Sequence, residues 1–210
     1  MPASARPMEE IEAYKEKILE TALDIVSKEG FLSLSMRKIS ERLAVSATAI
    51  YYYYLNKDEI YLGLQTKGFE QLYARFKKIH QKKASPVTKL KNFIEQYLDF
   101  GINNPYLYEI MFTLNTPKYA DFVGTELEPV AHLEKQTALS VAEISAALLS
   151  EIIASNPRLS KMDPSHEVVI LWTSLHGVVS LINSRVLQEV ETNMEDFLES
   201  FKSKLVAVFA

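Results

Sequence analysis

The chain has 210 residues, nearly half hydrophobic and about a quarter charged, which suits a folded globular protein and excludes a disordered or low-complexity one. It contains no cysteine, which removes disulfides, thiolate metal sites and cysteine nucleophiles together. The net charge of -4 does not forbid a nucleic-acid partner, because basic residues outnumber acids locally, from Lys28 to Lys57 and again from Arg75 to Lys91.

Helical periodicity runs through nearly the whole chain. From Ile11 the apolar residues Ile11, Tyr14, Ile18, Ala22, Ile25 and Val26 recur at helical spacing, and Gly30 stands where a helix would stop. Ser35 reads as the N-cap of a short helix carrying Met36, Ile39 and Leu43. Ser46 caps the next, which carries Ile50 and part of a run of four tyrosines, Tyr51 to Tyr54. Lys57 opens a long amphipathic helix expected to reach Ala84, and Ser85-Pro86 starts another that ends near Asn103.

A short aromatic helix is expected from Tyr106 to about Leu114, then a break at Asn115-Thr116-Pro117. Long helices follow over roughly 129–155, from the Asp163-Pro164 cap through Ile182, and over 194–208, with a loop at 156–161. No run reads as a strand. The expected fold is all-α, with a three-helix domain over 1–56 and a larger helical domain over 57–210.

No uninterrupted apolar run approaches the roughly 18 residues of a membrane span, and MPASARPMEE lacks a signal core. A cytoplasmic protein with no membrane partner is therefore expected. Charge is segregated along the chain: Lys28, Arg37, Lys38, Arg42 and Lys57 face only Glu29 and Glu41 between them, a second basic run spans Arg75 to Lys91, and acids predominate from Asp121 onward.

The tight "AVS" connection between two short helices that follow a longer one is a helix-turn-helix pattern. Its second short helix would enter the major groove, about 12 Å wide. The small residues Ala47, Thr48 and Ala49 would let its backbone approach the bases. At helical spacing Tyr51 and Tyr54 share a face. The expected division is that Tyr51 and Tyr52 reach phosphates or base edges while Tyr53 and Tyr54 close a small core.

The stretch GFLSLSMRKISERLAVSATAIYYYYLNKDEIYLGL resembles the DNA-binding domain of the TetR family of bacterial transcriptional regulators. The resemblance covers about Ile18 to Leu64, under a quarter of the chain. It rests on the glycine-aromatic turn, the capped helix, "VS" before the recognition helix, and the spacing from Ile50 through Lys57 to Ile60. Two departures stand out: Ala47 replaces a residue that is often polar or basic, and Tyr54 replaces a usual phenylalanine.

The resemblance implies a homodimeric regulator, most often a repressor. Its domain over 1–56 would bind double-stranded operator DNA, and its helical domain over 57–210 would dimerise and bind a small-molecule effector. Carried onto this sequence, the DNA-binding residues would be Ser35, Arg37, Ser46, Ala47, Thr48, Tyr51, Tyr52 and Lys57. Lys38 and Arg42 are more simply structural charges. Farther on, "NPYLYEIMF" and "LWTSLHGV" look like parts of a C-terminal subgroup with a Trp-His-Gly signature.

An apolar or amphipathic effector would be met by Tyr97, Phe100, Tyr108, Met111, Phe112, Trp172 and His176, although core packing is the simpler reading of the aromatics. Gly177, inside a helix at a cost of about 1 kcal/mol, calls for close approach of another helix, within the chain or across a dimer. The four histidines lack metal-ligand spacing, no cofactor motif is present, and no catalytic motif points to an enzyme. The competing reading is a helical small-molecule-binding or scaffold protein without DNA-binding activity.

Overall fold

The computed structural model describes residues 7–210. Residues 1–6, part of the stretch read above for a signal core, lie outside the described residues. Among the described residues there are eleven helices and no strand: α1 Met8–Glu29, α2 Met36–Leu43, α3 Ala47–Tyr51, α4 Lys57–His80, α5 Pro86–Asn103, α6 Pro105–Phe112, α7 Tyr119–Phe122, α8 Glu128–Ser155, α9 Pro164–Asn183, α10 Leu187–Val190 and α11 Met194–Ala207. They fall into two compact units. The first comprises Met1–Gly68 with Tyr106–Lys135, and the second Phe69–Pro105 with Gln136–Ala210.

The first unit is built on α1, which buries Ile18, Leu19, Ala22, Ile25 and Val26 and packs against α2. Gly30, at φ 84°, ends α1 in a backbone conformation that side chains disfavour. At the end of α2, Ala44 adopts the left-handed conformation (φ 55°, ψ 43°) and Val45 N–H donates to the Ser40 carbonyl at 3.0 Å. That six-to-one bond defines a Schellman ending, which usually places glycine where Ala44 stands. The turn swings the chain directly into α3.

The same unit holds α6 and α7. Gln65, almost wholly buried on α4, donates to the Ile110 carbonyl at 3.0 Å and to the Thr116 hydroxyl at 3.1 Å. Beside it, α6 comes so close to α4 at Gly68 that a Cβ there would lie 2.3 Å from Met111 Sδ. Leu62, Phe122, Leu127 and Ala131 form a further core cluster, flanked by Tyr119 and Val130. Helix α7, four residues long, falls where the sequence suggested only a break.

In the second unit α5 packs against α9 and α11. The rings of Phe76 and Phe93 stack at 4.2 Å, Arg75 binds Asp99 at 2.6 Å, and Asn183 Nδ2 donates to the Gly101 carbonyl at 3.1 Å. Helix α4 stops at His80, before the expected Ala84. The Ser85 N-cap of α5 sits in extended backbone and accepts from Thr88 N–H, so the preceding residues must turn rather than continue the helix. Helix α9 begins as expected at Asp163, whose carboxylate accepts from Ser165 and His166 N–H. Those backbone bonds hold its pKa below the ordinary value.

Candidate functional site

Two serines set the geometry of the helix-turn-helix. Ser35 Oγ accepts from Lys38 N–H and Ser46 Oγ from Ala49 N–H, both at 3.2 Å, so each caps one short helix. Along α3 only Ile50 is buried; Thr48 and Tyr51 are exposed and Ala47 is half-exposed. The helix ends at Tyr51, and the N–H groups of Tyr53 and Tyr54 both bond back to the Ile50 carbonyl at 2.9 and 3.0 Å. This tight exit sorts the four tyrosines. Tyr51 and Tyr52 stand 54 % and 70 % exposed, whereas Tyr53 and Tyr54 are each 6 % exposed.

Tyr51 and Tyr54 therefore do not share a face, because the helical spacing that would align them stops after Tyr51. Tyr53 packs on Tyr14 with ring centroids 4.7 Å apart. The Tyr54 hydroxyl donates to the Lys15 carbonyl at 3.3 Å. Its burial, with the charges of Glu59, Glu12 and Glu16, pushes the phenol far above its ordinary pKa.

The cations divide in the same way. Lys38 binds Glu29 at 2.5 Å, and Arg42 binds Asp24 at 3.0 Å and Glu29 at 2.5 Å, tying α2 to α1. Hydrogen bonds from Lys28 to Asp24 and from Lys38 to Glu29, with Arg42 nearby, hold both carboxyls below their ordinary pKa. Among the described residues Arg37 is paired only with Glu41, one turn along its own helix at 2.8 Å, and is highly exposed. Such a surface pair contributes little and is easily exchanged for another anion. Lys57, first residue of α4, meets no carboxylate among the described residues, and its ammonium lies 5.8 Å from the Tyr61 ring. Asn56 caps α4, accepting from Asp58 and Glu59 N–H at 2.9 and 3.1 Å.

The second unit contains an apolar cavity walled by Phe76, Phe93, Tyr97, Leu148, Leu171 and Trp172 among others, with free room of about 10 Å³. That is space for one water at most. Ser145, a polar group in this wall, donates its hydroxyl to the Val141 carbonyl at 2.8 Å. Of the aromatics expected to meet an effector, Tyr97 and Trp172 line this cavity. Phe100, in the same unit, lies outside the lining, with Arg75 5.4 Å from its ring. His176, one turn beyond Trp172, is half-buried, and burial lowers its pKa.

Tyr108, Met111 and Phe112 belong to the first unit and are not brought to this cavity. Tyr108 and Phe112 pack ring on ring at 4.8 Å, and Met111 lies over Gly68.

Comparison with known proteins agrees with this architecture. The family described as "Bacterial regulatory proteins, tetR family" matches residues 18–64, and "Tetracyclin repressor-like, C-terminal domain" matches residues 90–205, more than half the chain. The chain belongs to the TetR family. It is 25% identical over 167 residues to the HTH-type transcriptional regulator RutR of Escherichia coli O157:H7, covering 78% of this chain and 73% of RutR. It is 27% identical over 105 residues to the HTH-type transcriptional repressor NicS of Pseudomonas putida, 48% of each chain.

Among solved structures, a protein with unknown function from Rhodococcus sp. RHA1 superposes with a TM-score of 0.75 at 15% identity, covering 100% of this chain and 99% of that one. FadR from Bacillus subtilis, solved in complex with stearoyl-CoA, superposes with a TM-score of 0.67 at 18% identity, covering 91% and 97%. At these identities the superpositions establish the shared fold.

This TetR-family transcriptional regulator thus carries its DNA-binding helix-turn-helix in α2 and α3. Every side chain assigned to DNA from the sequence is exposed or half-exposed, and the core is made by its neighbours. The sequence reading missed most of the cavity wall: Phe76, Leu90, Phe93, Ile94 and Leu148 carry no chemical signal beyond helical apolar spacing. Helices α8 and α9 are long and apolar enough, by length and composition, to cross a bilayer, although glutamates interrupt α8 and Thr173, Ser174 and His176 interrupt the apolar residues of α9. Only 28% of each such window is buried within the chain. Gly177 has open space where a Cβ would sit, so the close approach foreseen for it, within the chain or across a dimer, is not made among the described residues of the chain.

Proposed function

We propose that this regulator is a cytoplasmic repressor that binds operator DNA as a homodimer and releases it on binding a largely apolar small molecule. The observation that carries the DNA-binding assignment is the exposed set on α2, α3 and the start of α4. Arg37, Thr48, Tyr51, Tyr52 and Lys57 present cations and hydroxyls outward from a firmly packed base, with Ser35, Ser46 and Ala47 shaping the approach. Arg37, Tyr51, Tyr52 and Lys57 would hold phosphates; Thr48 and the small surface of Ala47 would face base edges.

Operator selection with purified protein, followed by binding at several salt concentrations, tests this. Lys57→Ala should weaken specific and random duplex by similar factors and lower the salt slope by about one unit. Thr48→Ala should act mainly on sequence preference. Absence of salt-sensitive duplex binding would leave the chain a helical ligand-binding or scaffold protein.

Support for the homodimer comes from α9 and α11. On α9 the residues Ile170, Ser174, Gly177 and Leu181 share one face, apolar at its ends and small in the middle, with no atom close to Gly177. Helix α11 has no fully buried side chain, although Phe197 and Phe201 stack on its surface at 6.1 Å. Two copies of these faces would complete each other around a twofold axis. Gly177→Leu should then weaken dimerisation in sedimentation while the monomer remains folded. A wild-type monomer at micromolar concentration refutes the dimer.

The effector site is assigned to the cavity lined by Tyr97 and Trp172, with His176 and Phe100 of the same unit retained as candidates for a larger opened chamber. Aromatic and aliphatic walls suit an apolar ligand, and the FadR neighbour was solved with an amphiphile, stearoyl-CoA. Trp172→Ala should reduce release of DNA by a bound effector without changing DNA affinity in its absence. Unchanged release in Trp172→Ala and His176→Ala together moves the effector elsewhere.

A further inference from the structure

A polar cluster stands about one helical turn from three residues that line the apolar cavity. Phe76, Phe93 and Leu148 line that cavity from α4, α5 and α8. Displaced from them by four residues forward, four back and three forward stand His80, Lys89 and Glu151. Residues at these offsets share a helical face, about one turn apart. The three displaced residues converge: His80 Nε2 lies 3.7 Å from Glu151 Oε1, and Lys89 Nζ lies 3.8 Å from Glu151 Oε2.

Both separations exceed the ~2.7–2.9 Å of a well-made charge-assisted hydrogen bond, so one carboxylate holds two donors loosely. The Lys89 side chain is only 13% exposed, and Glu151 is the carboxylate it meets among the described residues. His80 Nδ1 is buried and meets no hydrogen-bond partner among the described residues. Buried polar atoms are nearly always partnered, so an atom left alone marks a place for an occupant.

The chemistry narrows that occupant. An ionised Glu151 only accepts, which assigns the proton to Nε2 and leaves Nδ1 of a neutral ring as an acceptor. Lys89 offers three donors to one distant partner. The cluster therefore lacks a group that donates to Nδ1 and also accepts from Nζ. A carboxylic acid does both: its hydroxyl donates to the imidazole and its other oxygen accepts from the ammonium. If the acid's proton passes to Nδ1, the resulting carboxylate accepts from both and gains the charge of Lys89.

An alcohol can make the two hydrogen bonds but brings no charge to the ammonium; an ester can only accept. We infer that His80, Lys89 and Glu151 are the polar end of the effector site, and that the effector is an apolar molecule ending in a carboxylic acid. This rests on the cavity's being the effector site.

Trp172 is the one tryptophan of the chain and lines the cavity, so its fluorescence reports binding in the full-length protein. The probes are octanoic acid and 3-phenylpropanoic acid, each with its methyl ester and its alcohol. At least one acid should bind about tenfold tighter than its own ester. Lys89→Met should erase that preference, weakening the acid about tenfold more than the ester, which loses one hydrogen bond but no charge partner. Glu151→Gln should tighten the acid and not the ester, because a competitor for Lys89 has been neutralised; a misfolded variant would not do this.

Equal acid and ester affinity, a preference that survives Lys89→Met, or an acid weakened by Glu151→Gln overturns the head-group assignment and leaves the cavity standing. No saturable response to any acid, ester or alcohol overturns the cavity as effector site, and the head group with it.

Discussion

Adding one carbon at Gly68 tests the packing between α4 and α6. An alanine Cβ would lie 2.3 Å from Met111 Sδ, 2.9 Å from its Cγ and 3.2 Å from its Cε. The contact reaches the middle of the methionine side chain, which is itself buried, so a rotation of the terminal methyl cannot relieve it. Two effects oppose each other. Alanine in a helix interior gains about 1 kcal/mol over glycine, whereas forcing a methyl into a packed contact costs about 1–3 kcal/mol.

The overlap at 2.3 Å selects the upper part of that range, so Gly68→Ala should destabilise by about 1–2 kcal/mol net. Met111→Ala alone should cost about 2–5 kcal/mol through the cavity it leaves. The double variant should be less destabilised than the sum of the two singles, because the alanine methyl occupies part of that space. Urea unfolding of all four proteins measures this coupling, expected at about 1–2 kcal/mol. Stabilisation by Gly68→Ala, with additive behaviour in the double variant, would show that Met111 does not lie against this helix.

Ala44→Val should cost about 1–3 kcal/mol, because a β-branched side chain is forced into left-handed backbone; chemical denaturation measures it, and a silent substitution removes the Schellman ending. Asn56→Ala should lose about 1 kcal/mol by leaving the first N–H groups of α4 without their cap, read as a lowered thermal midpoint. For His176, burial depresses the folded pKa from the ordinary 6.5. Its contribution is therefore intact above that pH and declines as pH falls toward the folded value, where the unfolded chain binds a proton first. His176→Gln should flatten the slope of stability against pH in this window, and an identical slope in both proteins rejects the assignment.

The helix-turn-helix could be read from the sequence because its signals are local. Ser35 and Ser46 cap helices within three residues of themselves, and Ile39 and Ile50 mark buried faces over one or two turns. Helices α7 and α10 escaped because four residues are too few to show a period; α7 is positioned by Phe122 in a cluster with Leu62 and Ala131 from distant sequence. Two of the helix-interior glycines show the limit most clearly. A propensity penalty flagged Gly177, yet its surroundings in the chain are open, and Gly68 drew no notice although Met111 lies directly over it. Propensity reports a residue's cost to its own helix and nothing about what stands opposite.

The same limit governed the cavity. Phe93 lining a space and Phe100 packed outside it have the same helical spacing, and only three-dimensional convergence separates them.

The size of the cavity constrains how an effector can act. With room for about 10 Å³, the closed form admits no molecule near the roughly 300 Å³ or more of ordinary ligand pockets. Binding must draw on an opened form, and the affinity observed is the intrinsic affinity reduced by that form's population. If the open form is about one part in a hundred, apparent affinity is about a hundredfold weaker than intrinsic, and full reversal of the equilibrium needs roughly 5.5 kcal/mol of preference for it. An apolar tail alone gains about 0.8 kcal/mol for each methylene buried, so seven methylenes reach that figure only if none is buried equally well by the closed form. A head group that engages Lys89 and His80 only once the cavity opens adds preference without lengthening the tail. If the cavity takes the effector as proposed, the closed cavity and the polar cluster one turn from its lining would be two parts of one requirement: differential binding large enough to shift a population.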